Sequence, residues 1–236
     1  MKICLYTALF GDLTELKQPT IGLKELGASA HTDGRLSMVC FSDRPRPPNG
    51  WQVKEVTPTY GHPRLDSKWY RMMPHVELRQ YDLTIWVDAT FQLGNVRSFV
   101  DMCLETLRGD KSDNYGSALF QDPECLDIYH EAAFSINRWP NKYPAHVLNA
   151  QVNHYRAEGL PNPHKMYGGG IHIRDNRVEW VRRMNLLWFT ECIRWSHQDQ
   201  VSLPYVLWKM GKACATIPGY LYEGKDWHWI MVNRDQ

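Results

Sequence analysis

Short apolar runs that alternate with helical segments are the feature of this sequence that most restricts its fold. The apolar runs predict strands at Lys2–Leu9, Leu36–Phe41, Gln52–Val56, Leu83–Val87, Ala118–Phe120 and Ile171–Arg174. Helical spacing is found at Leu16–Leu26, where Pro19 and Gly22 interrupt it, and at Asp66–Leu78, Ser98–Leu107, Glu124–Arg138, Ala145–Glu158, Val178–Trp195 and Gln198–Met210. This order is typical of an α/β protein with a central, mainly parallel sheet and helices on both faces.

Length and charge narrow the possibilities further. The chain has 236 residues, of which 43% are hydrophobic and 22% are charged, and this balance excludes disordered, collagen-like and coiled-coil proteins. No linker interrupts it, so we expect one domain over residues 1–236, with halves at about 1–110 and 111–236. The formal net charge is +1. An anionic ligand must therefore meet a local cluster of cations, because the whole molecule has no strong field.

Two features of the sequence indicate the cellular compartment: the length of the first apolar run and the pattern of cysteines. The first run stops at Gly11, which is too short for a signal peptide core or a membrane-spanning helix, and this predicts a cytoplasmic protein of a bacterial or phage-infected cell. The six cysteines show no CxxC pair and no spacing typical of a zinc site. Several lie inside apolar runs, which favours buried, reduced thiols.

In an open α/β sheet, ligands bind beyond the carboxyl ends of the strands. Asp88 directly follows the run Leu83–Val87. A carboxylate in this place can hold a divalent cation that neutralises a diphosphate, because hard cations take carboxylate and phosphate oxygens together. The same position also suits an ordinary helix N-cap or a surface aspartate. By the same rule, the candidate site residues also include Phe10, Gly11, Asp12, Ser42, Asp43, Thr90 and the residues that flank Gly168–Gly170.

A cluster of cations follows the third predicted strand. Lys68 and Arg71 lie on the helix predicted to begin at Asp66 or Ser67, and Arg64 just before it is within reach of both. Arg44 and Arg46 lie in a loop at the same end of the sheet. Arginine forks and a lysine point charge both suit phosphate oxygens. A solvated helix face is the alternative interpretation.

Two further segments carry candidate residues. Gly168, Gly169 and Gly170 precede a predicted strand, where they allow a ligand to approach the backbone, and Asp199 opens the last predicted helix as either a cap or a catalytic carboxylate. Near the end of the chain, Trp227 and His228 suit a sugar ring and a metal or phosphate group, or a tail docked on the core. The sequence contains no GxSxG elbow, Walker A loop, HExxH motif or Rossmann glycine motif.

Taken in order, these blocks resemble GT-A glycosyltransferases, and the motif sequences are most similar to those of the TOD/MUCI-type glycosyltransferase-like domain family. The match lies in Tyr6–Gly11, Cys40–Asp43, Lys68–His75, Trp86–Ala89, Glu131–Ala132, Gly169–Gly170, Arg174, Trp188, Glu191 and Asp199–Gln200. It covers nearly the whole chain, and the Lys-Trp-Tyr-Arg and Trp-Val-Asp-Ala blocks are its most specific parts. The resemblance implies a single GT-A-like (Rossmann-like) domain that transfers a sugar from a nucleotide-sugar donor to a hydroxyl acceptor.

The resemblance also implies roles for individual residues. The N-terminal half would bind the donor, through Thr7, Phe10, Gly11, Asp43, Arg64, Lys68, Arg71 and Asp88. The C-terminal half would bind the acceptor, through Gly169, Gly170, Trp188 and Trp227, with Asp199 or Glu191 as the catalytic carboxylate. A divalent cation, Mn²⁺ or Mg²⁺, would be held by Asp88 and His228. The chain departs from the usual DxD motif, because Asp88-Ala89-Thr90 offers one carboxylate.

Several alternatives stay open at this level. The acceptor could be a glycan, a glycolipid or a hydroxylated nucleobase, and the near-neutral charge weighs against duplex DNA. The incomplete metal motif also fits a non-catalytic nucleotide-sugar or carbohydrate-binding module on the same fold. A third possibility is a nucleotidyltransferase, which would release pyrophosphate from a nucleoside triphosphate.

Overall fold

A seven-stranded sheet organises the chain, in the strand order β3-β2-β1-β4-β7-β6-β8. The computed structural model describes residues 1–11, 36–46, 50–109 and 115–224 and the backbone of 227–229. Its strands are β1 (Ile3–Leu9), β2 (Leu36–Ser42), β3 (Gln52–Glu55), β4 (Leu83–Val87), β5 (Phe91–Leu93), β6 (Ser117–Gln121), β7 (Tyr167–Asp175), β8 (Ala215–Thr216) and β9 (Trp227–Trp229). Strands β5 and β9 form a separate antiparallel pair.

Seven helices are described, and they lie between the strands. They are α1 (Pro63–Met72), α2 (Pro74–Glu77), α3 (Val96–Gly109), α4 (Ile128–Arg138), α5 (Ala145–Ala157), α6 (Glu179–Arg194) and α7 (Asp199–Lys209). Within the sheet, β1, β2, β3 and β4 are mutually parallel, as are β6 and β8, whereas β7 runs antiparallel to β4 and β6. The predicted α/β class with a mainly parallel sheet is therefore confirmed.

Most predicted elements are present, with several corrections; one is that the helix predicted from Glu124 begins at Ile128. The glycines of 168–170 lie inside β7 rather than before it, and the short strands β5, β8 and β9 were not predicted. The helix predicted to begin at Asp66 or Ser67 begins at Pro63. The broken helix predicted at Leu16–Leu26 and the candidate residue Asp12 lie outside the described residues.

The early start of α1 has a clear local cause. Asp66 does not cap the helix; its carboxylate Oδ1 accepts hydrogen bonds from the backbone N–H groups of Thr59, at 2.6 Å, and Tyr60, at 2.9 Å. It thereby holds the loop that leads into the helix, and Pro63 begins the helix, where its missing N–H costs nothing. At the other end Pro74 separates α1 from α2.

The alternation of side chains along the strands gives the two faces of the sheet different contents. One face is apolar: Leu5, Ile85 and Ile173 pack against Phe99 and Cys103 of α3. The opposite face, under α1 and α6, carries Tyr6, Trp86, His172 and Arg174, all buried. Five of the six cysteines are buried and all six are free thiols. None of the described helices has the length and apolar character needed to cross a membrane.

The carboxyl ends of β1 and β2 are tied together beside α1. The backbone N–H of Gly11 donates to Oδ2 of Asp43 at 2.7 Å. Gly11 has a φ of +76°, and a Cβ there would lie 2.7 Å from Cβ of Pro63. Glycine is thus required by both conformation and space, and the contact sets where α1 begins relative to β1.

Candidate active site

A cleft of about 540 Å³ opens where β1 and β4 end. It is lined by residues of four regions: the ends of β1 and β4, the first turns of α1, the segment 138–143 at the end of α4 and before α5, and the turn between α6 and α7. The lining residues used below are Phe10, Arg64, Ser67, Lys68, Trp86, Asp88, Arg138, Trp139, Lys142, Tyr143 and His197. The site therefore lies beyond the carboxyl ends of the strands, as the sequence predicts.

The best-defined group at the cleft is formed by Lys68, Arg71 and Asp199. Nζ of Lys68 lies 2.6 Å from Oδ2 of Asp199, and Nη1 of Arg71 contacts the same oxygen. The side chain of Asp199 is only 4% exposed and that of Lys68 is 17% exposed. Two cations from α1 thus share one buried carboxylate at the start of α7, and Lys68 faces the cleft.

The ionisation of this group follows from its contacts. Burial by itself would raise the pKa of Asp199, but the charges of Arg71 and Lys68 outweigh it and hold the pKa below its usual value. Burial lowers the pKa of Lys68, and Asp199 opposes that effect. Asp199 is therefore a stable anion that fixes the two cations, and this is a poor state for a general base.

Arg71 connects this group to the glycine run of β7. Its Nη2 donates to the carbonyl oxygen of Gly169 at 2.6 Å, and its guanidinium lies 5.7 Å from the ring of Trp86 and 5.3 Å from that of Trp188. A Cβ on Gly169 would collide with the Arg71 side chain, and one on Gly170 with the ring of Phe91. The backbone at Gly169 and Gly170 is closely approached, as predicted, but by the side chains of Arg71 and Phe91 and not by a ligand.

Asp88 lies at the end of β4 and lines the cleft, as predicted. Its Oδ1 accepts hydrogen bonds from the N–H and the hydroxyl of Thr90, both at 3.2 Å, and its backbone N–H donates to the carbonyl of Gly170 at 2.7 Å. These contacts hold the carboxylate at the cleft. Among the described residues, no three His, Cys, Asp or Glu side chains come together as a metal site.

The wall at 138–143 was not recognised as part of the site from the sequence. Arg138 lies 5.7 Å from the ring of Trp139, and Lys142 lies 5.3 Å from that ring and 4.6 Å from the ring of Tyr143. The aromatic faces orient these cations at the cleft. The signal was present as Arg-Trp-Pro-Asn-Lys-Tyr, a stretch of cations and aromatics without an acid, but Trp139-Pro140 was interpreted only as a helix boundary.

His197 is a second cleft residue that the sequence reasoning missed. Its Nε2 lies 3.3 Å from Nη1 of Arg64. Because arginine can only donate, Nε2 is the acceptor. Burial, followed by the charges of Arg64 and Lys68, lowers the pKa of His197 to about 3. The imidazole is therefore neutral at physiological pH.

The other predicted site residues have varied positions. Of the eight predicted donor-binding residues, Phe10, Arg64, Lys68 and Asp88 line the cleft. Thr7, Gly11, Asp43 and Arg71 do not line it; Thr7 is buried, and Asp43 pairs with Arg44.

Two predicted residues are engaged elsewhere in the fold. Trp188 is buried, and its Nε1 donates to the backbone oxygen of Asp199 at 2.9 Å, so it supports the start of α7 from below. Glu191 accepts a hydrogen bond from the hydroxyl of Tyr155 at 2.6 Å. Neither lines the cleft. The side chains of Trp227 and His228 lie outside the described residues; the backbone pairs His228 with Gln92 in the β5–β9 ribbon.

This fold has counterparts among solved glycosyltransferase structures. The structure of the apo WbbM bifunctional glycosyltransferase matches with a TM-score of 0.52 and 10% identity, over 92% of this chain and 38% of that chain. Apo mouse xyloside xylosyltransferase 1 matches with a TM-score of 0.51 and 9% identity, over 92% of this chain and 85% of that chain. At these identities the likeness concerns the fold.

The family follows from the sequence match. The model of the TOD1/MUCI70 glycosyltransferase-like domain matches residues 50–223, and this chain belongs to that family. The GT-A-like fold and the family predicted from the motifs are thereby confirmed. No curated protein sequence matches the chain.

Proposed function

We propose that the cleft binds a nucleotide-sugar donor through its diphosphate and transfers the sugar to a hydroxyl of a glycan, a glycolipid or a hydroxylated nucleobase. The observation that carries this proposal is the placement of Lys68, which faces the cleft while Asp199 fixes its ammonium group. Arg64 adds a second cation on the same wall. Such a preorganised pair suits the oxygens of one diphosphate.

In the proposed reaction the bond between the anomeric carbon and the diphosphate breaks, and the electron pair leaves with the diphosphate. Lys68 and Arg64 stabilise the negative charge that grows on that leaving group. The acceptor oxygen forms the new bond to the anomeric carbon, and its proton passes to solvent water. Because the two cations are already held in place, no reorganisation is needed as the charge develops.

Asp199 acts in this scheme as a positioning residue and not as the predicted catalytic carboxylate. It is buried, and its carboxylate is held ionised by Lys68 and Arg71. Glu191 is bonded to Tyr155 away from the cleft. Of the two predicted catalytic carboxylates, Asp199 therefore supports the site from behind, and Glu191 is engaged elsewhere.

The carboxylate of Asp88 could serve as a ligand for a divalent cation. Mg²⁺ and Mn²⁺ are commonly held by one or two protein carboxylates together with substrate phosphate oxygens. Asp88 would hold the cation jointly with the donor diphosphate, and the cation would supply further positive charge to the leaving group. On this proposal, Asp88→Asn lowers the dependence of donor binding on manganese.

The first experiment is a thermal-shift screen of UDP-, GDP-, CMP- and dTDP-linked sugars, with and without manganese. A donor that binds only the folded chain raises its unfolding temperature. The donor found in this way is then tested for transfer to acceptors and for slow hydrolysis. Binding without transfer or hydrolysis would instead support the non-catalytic module, and release of pyrophosphate from a nucleoside triphosphate would support a nucleotidyltransferase.

The variant Lys68→Met tests the role of the α1 wall, the side of the cleft formed by Arg64 and Lys68 of α1. We expect it to weaken donor binding about tenfold or more, because it removes a charge-assisted contact to phosphate. Lys209→Met is the matched control, since Lys209 pairs with Glu158 on an exposed surface of α7. Equal donor affinity of the two variants would contradict the proposed site.

A further inference from the structure

A buried arginine lies under the cleft without a carboxylate to balance it. Arg174 of β7 is fully buried on the same face of the sheet as Tyr6 and Trp86. Its Nη1 donates to Oδ1 of Asn185 at 3.1 Å and its Nη2 donates to the hydroxyl of Tyr6 at 2.9 Å. Within the described ranges no Asp or Glu forms an ion pair with it.

Arg174 is coupled to the cleft through a short chain of contacts. The hydroxyl of Tyr6, which accepts from Arg174, donates to the backbone oxygen of Arg71 at 2.8 Å. Arg71 in turn contacts Asp199, which also holds Lys68 at the cleft. One side chain therefore links the centre of the sheet to the group that faces the diphosphate.

The charges in this group do not cancel. Lys68, Arg71 and Arg174 are three cations against the single carboxylate of Asp199. Nε of Arg71 and Nε of Arg174 also have no hydrogen-bond partner in the described part of the chain. Burial lowers the pKa of Arg174 to about 10; the nearby charge of Arg71 acts in the same direction and Tyr6 opposes it. The group therefore stays charged at physiological pH.

A buried charge of this kind is a poor way to stabilise a fold. Replacing buried ionic groups with apolar side chains of similar volume is often neutral or stabilising, because the desolvation penalty disappears. Residues that break such local rules are concentrated at functional sites. The positive charge is thus better explained by what binds above it than by the packing around it.

We propose that Arg174 is a positioning residue for an anionic donor: it orients Arg71 through Tyr6 and adds positive potential beneath the diphosphate. This inference rests on the proposed function, because it needs a diphosphate in the cleft. It predicts that stability and ligand affinity respond to Arg174 in opposite directions.

The test compares three variants by calorimetric binding of inorganic pyrophosphate and by denaturant unfolding. Arg174→Met removes the charge and Arg174→Lys keeps it. Tyr6→Phe keeps the charge but removes the hydroxyl that joins Arg174 to the backbone of Arg71. We expect Arg174→Met to bind pyrophosphate about three- to tenfold more weakly, given a partly screened charge at this depth, while its unfolding midpoint is unchanged or higher. Arg174→Lys should recover most of the affinity, and Tyr6→Phe should lose part of it.

The control is Arg97→Met, an exposed cation on α3 at the other face of the sheet. It should leave pyrophosphate binding unchanged. Wild-type affinity in a folded Arg174→Met variant overturns the inference while the proposed function stands. Should Arg174→Met not fold, unchanged affinity in Tyr6→Phe overturns it instead. Failure of the wild-type chain to bind pyrophosphate contradicts the proposed function itself, and the inference with it.

Discussion

The two faces of the central sheet are built from the same strands but are covered in opposite ways. On the α3 face, Leu5, Ile85 and Ile173 meet Phe99 in a continuous apolar core. On the α1 face, residues one position along the same strands are Tyr6, Trp86 and Arg174, and they lie under ion pairs and ring contacts. The period of two in a strand is what allows one sheet to carry both.

On the proposed function, this difference separates stability and ligand recognition across the sheet. The apolar face gains free energy from burial without any need for precise polar partners. The charged face must satisfy buried ions, and it concentrates positive charge at the cleft. The first face could be repacked with little effect on ligands, whereas the second is constrained by charge and geometry together.

The largest expected effect comes from breaking the charged face at its one shared carboxylate. Asp199→Ala leaves Lys68 and Arg71 buried without their partner, and such a loss destabilises a fold by about 3–5 kcal/mol. Denaturant unfolding measures it. Adding Lys68→Met to Asp199→Ala should recover part of this loss, because one uncompensated cation is removed.

The apolar face provides the counterpart to that experiment. Phe99 is fully buried, and Phe99→Ala should also cost about 3–5 kcal/mol, through lost contacts and the cavity left behind. It should not change pyrophosphate affinity in the folded fraction, and Lys68→Met should not rescue it. Rescue of both variants by Lys68→Met, or of neither, would argue against the separation of the two faces.

Local patterns in the sequence predicted the parts of the fold that depend on neighbours in the chain. The run Leu83–Val87 with Asp88 after it predicted both β4 and a cleft residue. The same approach misplaced the start of α1. Asp66 is a residue type that often caps helices, but its carboxylate accepts hydrogen bonds from the preceding residues Thr59 and Tyr60. A capping residue and a loop-holding residue look alike until the chain is folded.

The parts that could not be predicted depend on contacts distant in sequence. Gly169 and Gly170 suggested an approach by a ligand, but the side chains that need the space belong to Arg71 and Phe91. Asp199 suggested a base, but its chemistry is set by two cations from α1. Segment 138–143 joined the cleft only through tertiary packing. In each case the residue type marked an important position, but the sequence did not show which residue would contact it in the fold.

The glycine run allows each face to be disturbed separately, with a smaller effect. Gly169→Ala pushes a methyl group against Arg71 on the charged face, and Gly170→Ala pushes one against Phe91 on the apolar face. Overpacking of this kind costs about 1–3 kcal/mol, so both variants should unfold at lower denaturant concentration.

Only Gly169→Ala should also weaken pyrophosphate binding, because it displaces the guanidinium that shares Asp199 with Lys68. Gly109→Ala at the end of α3 is the control, since a Cβ there meets nothing within 4 Å. An equal loss of affinity in both β7 variants would show that the two faces are mechanically coupled.

The smallest expected effect is on the pH dependence of the unfolding free energy. It probes the charged face alone and leaves the packing of both faces unchanged. The pKa of His197 is lowered to about 3 by burial and then by Arg64 and Lys68, so between pH 6.5 and 3 the unfolded chain binds more protons than the folded one. The free energy of unfolding therefore rises with pH over this window, and the contribution of His197 is lost as the pH falls.

His197→Gln keeps an acceptor for Arg64 but cannot take up the proton. Its unfolding free energy should fall less than that of the wild type between pH 7 and 5, by about 1 kcal/mol after allowance for partial exposure. His146→Gln, at an exposed position on α5, should retain the wild-type slope. If both variants follow the wild-type slope, the cations of the α1 wall do not act on the imidazole across the cleft, and the electrostatic contrast between the two faces is weaker than their contacts suggest.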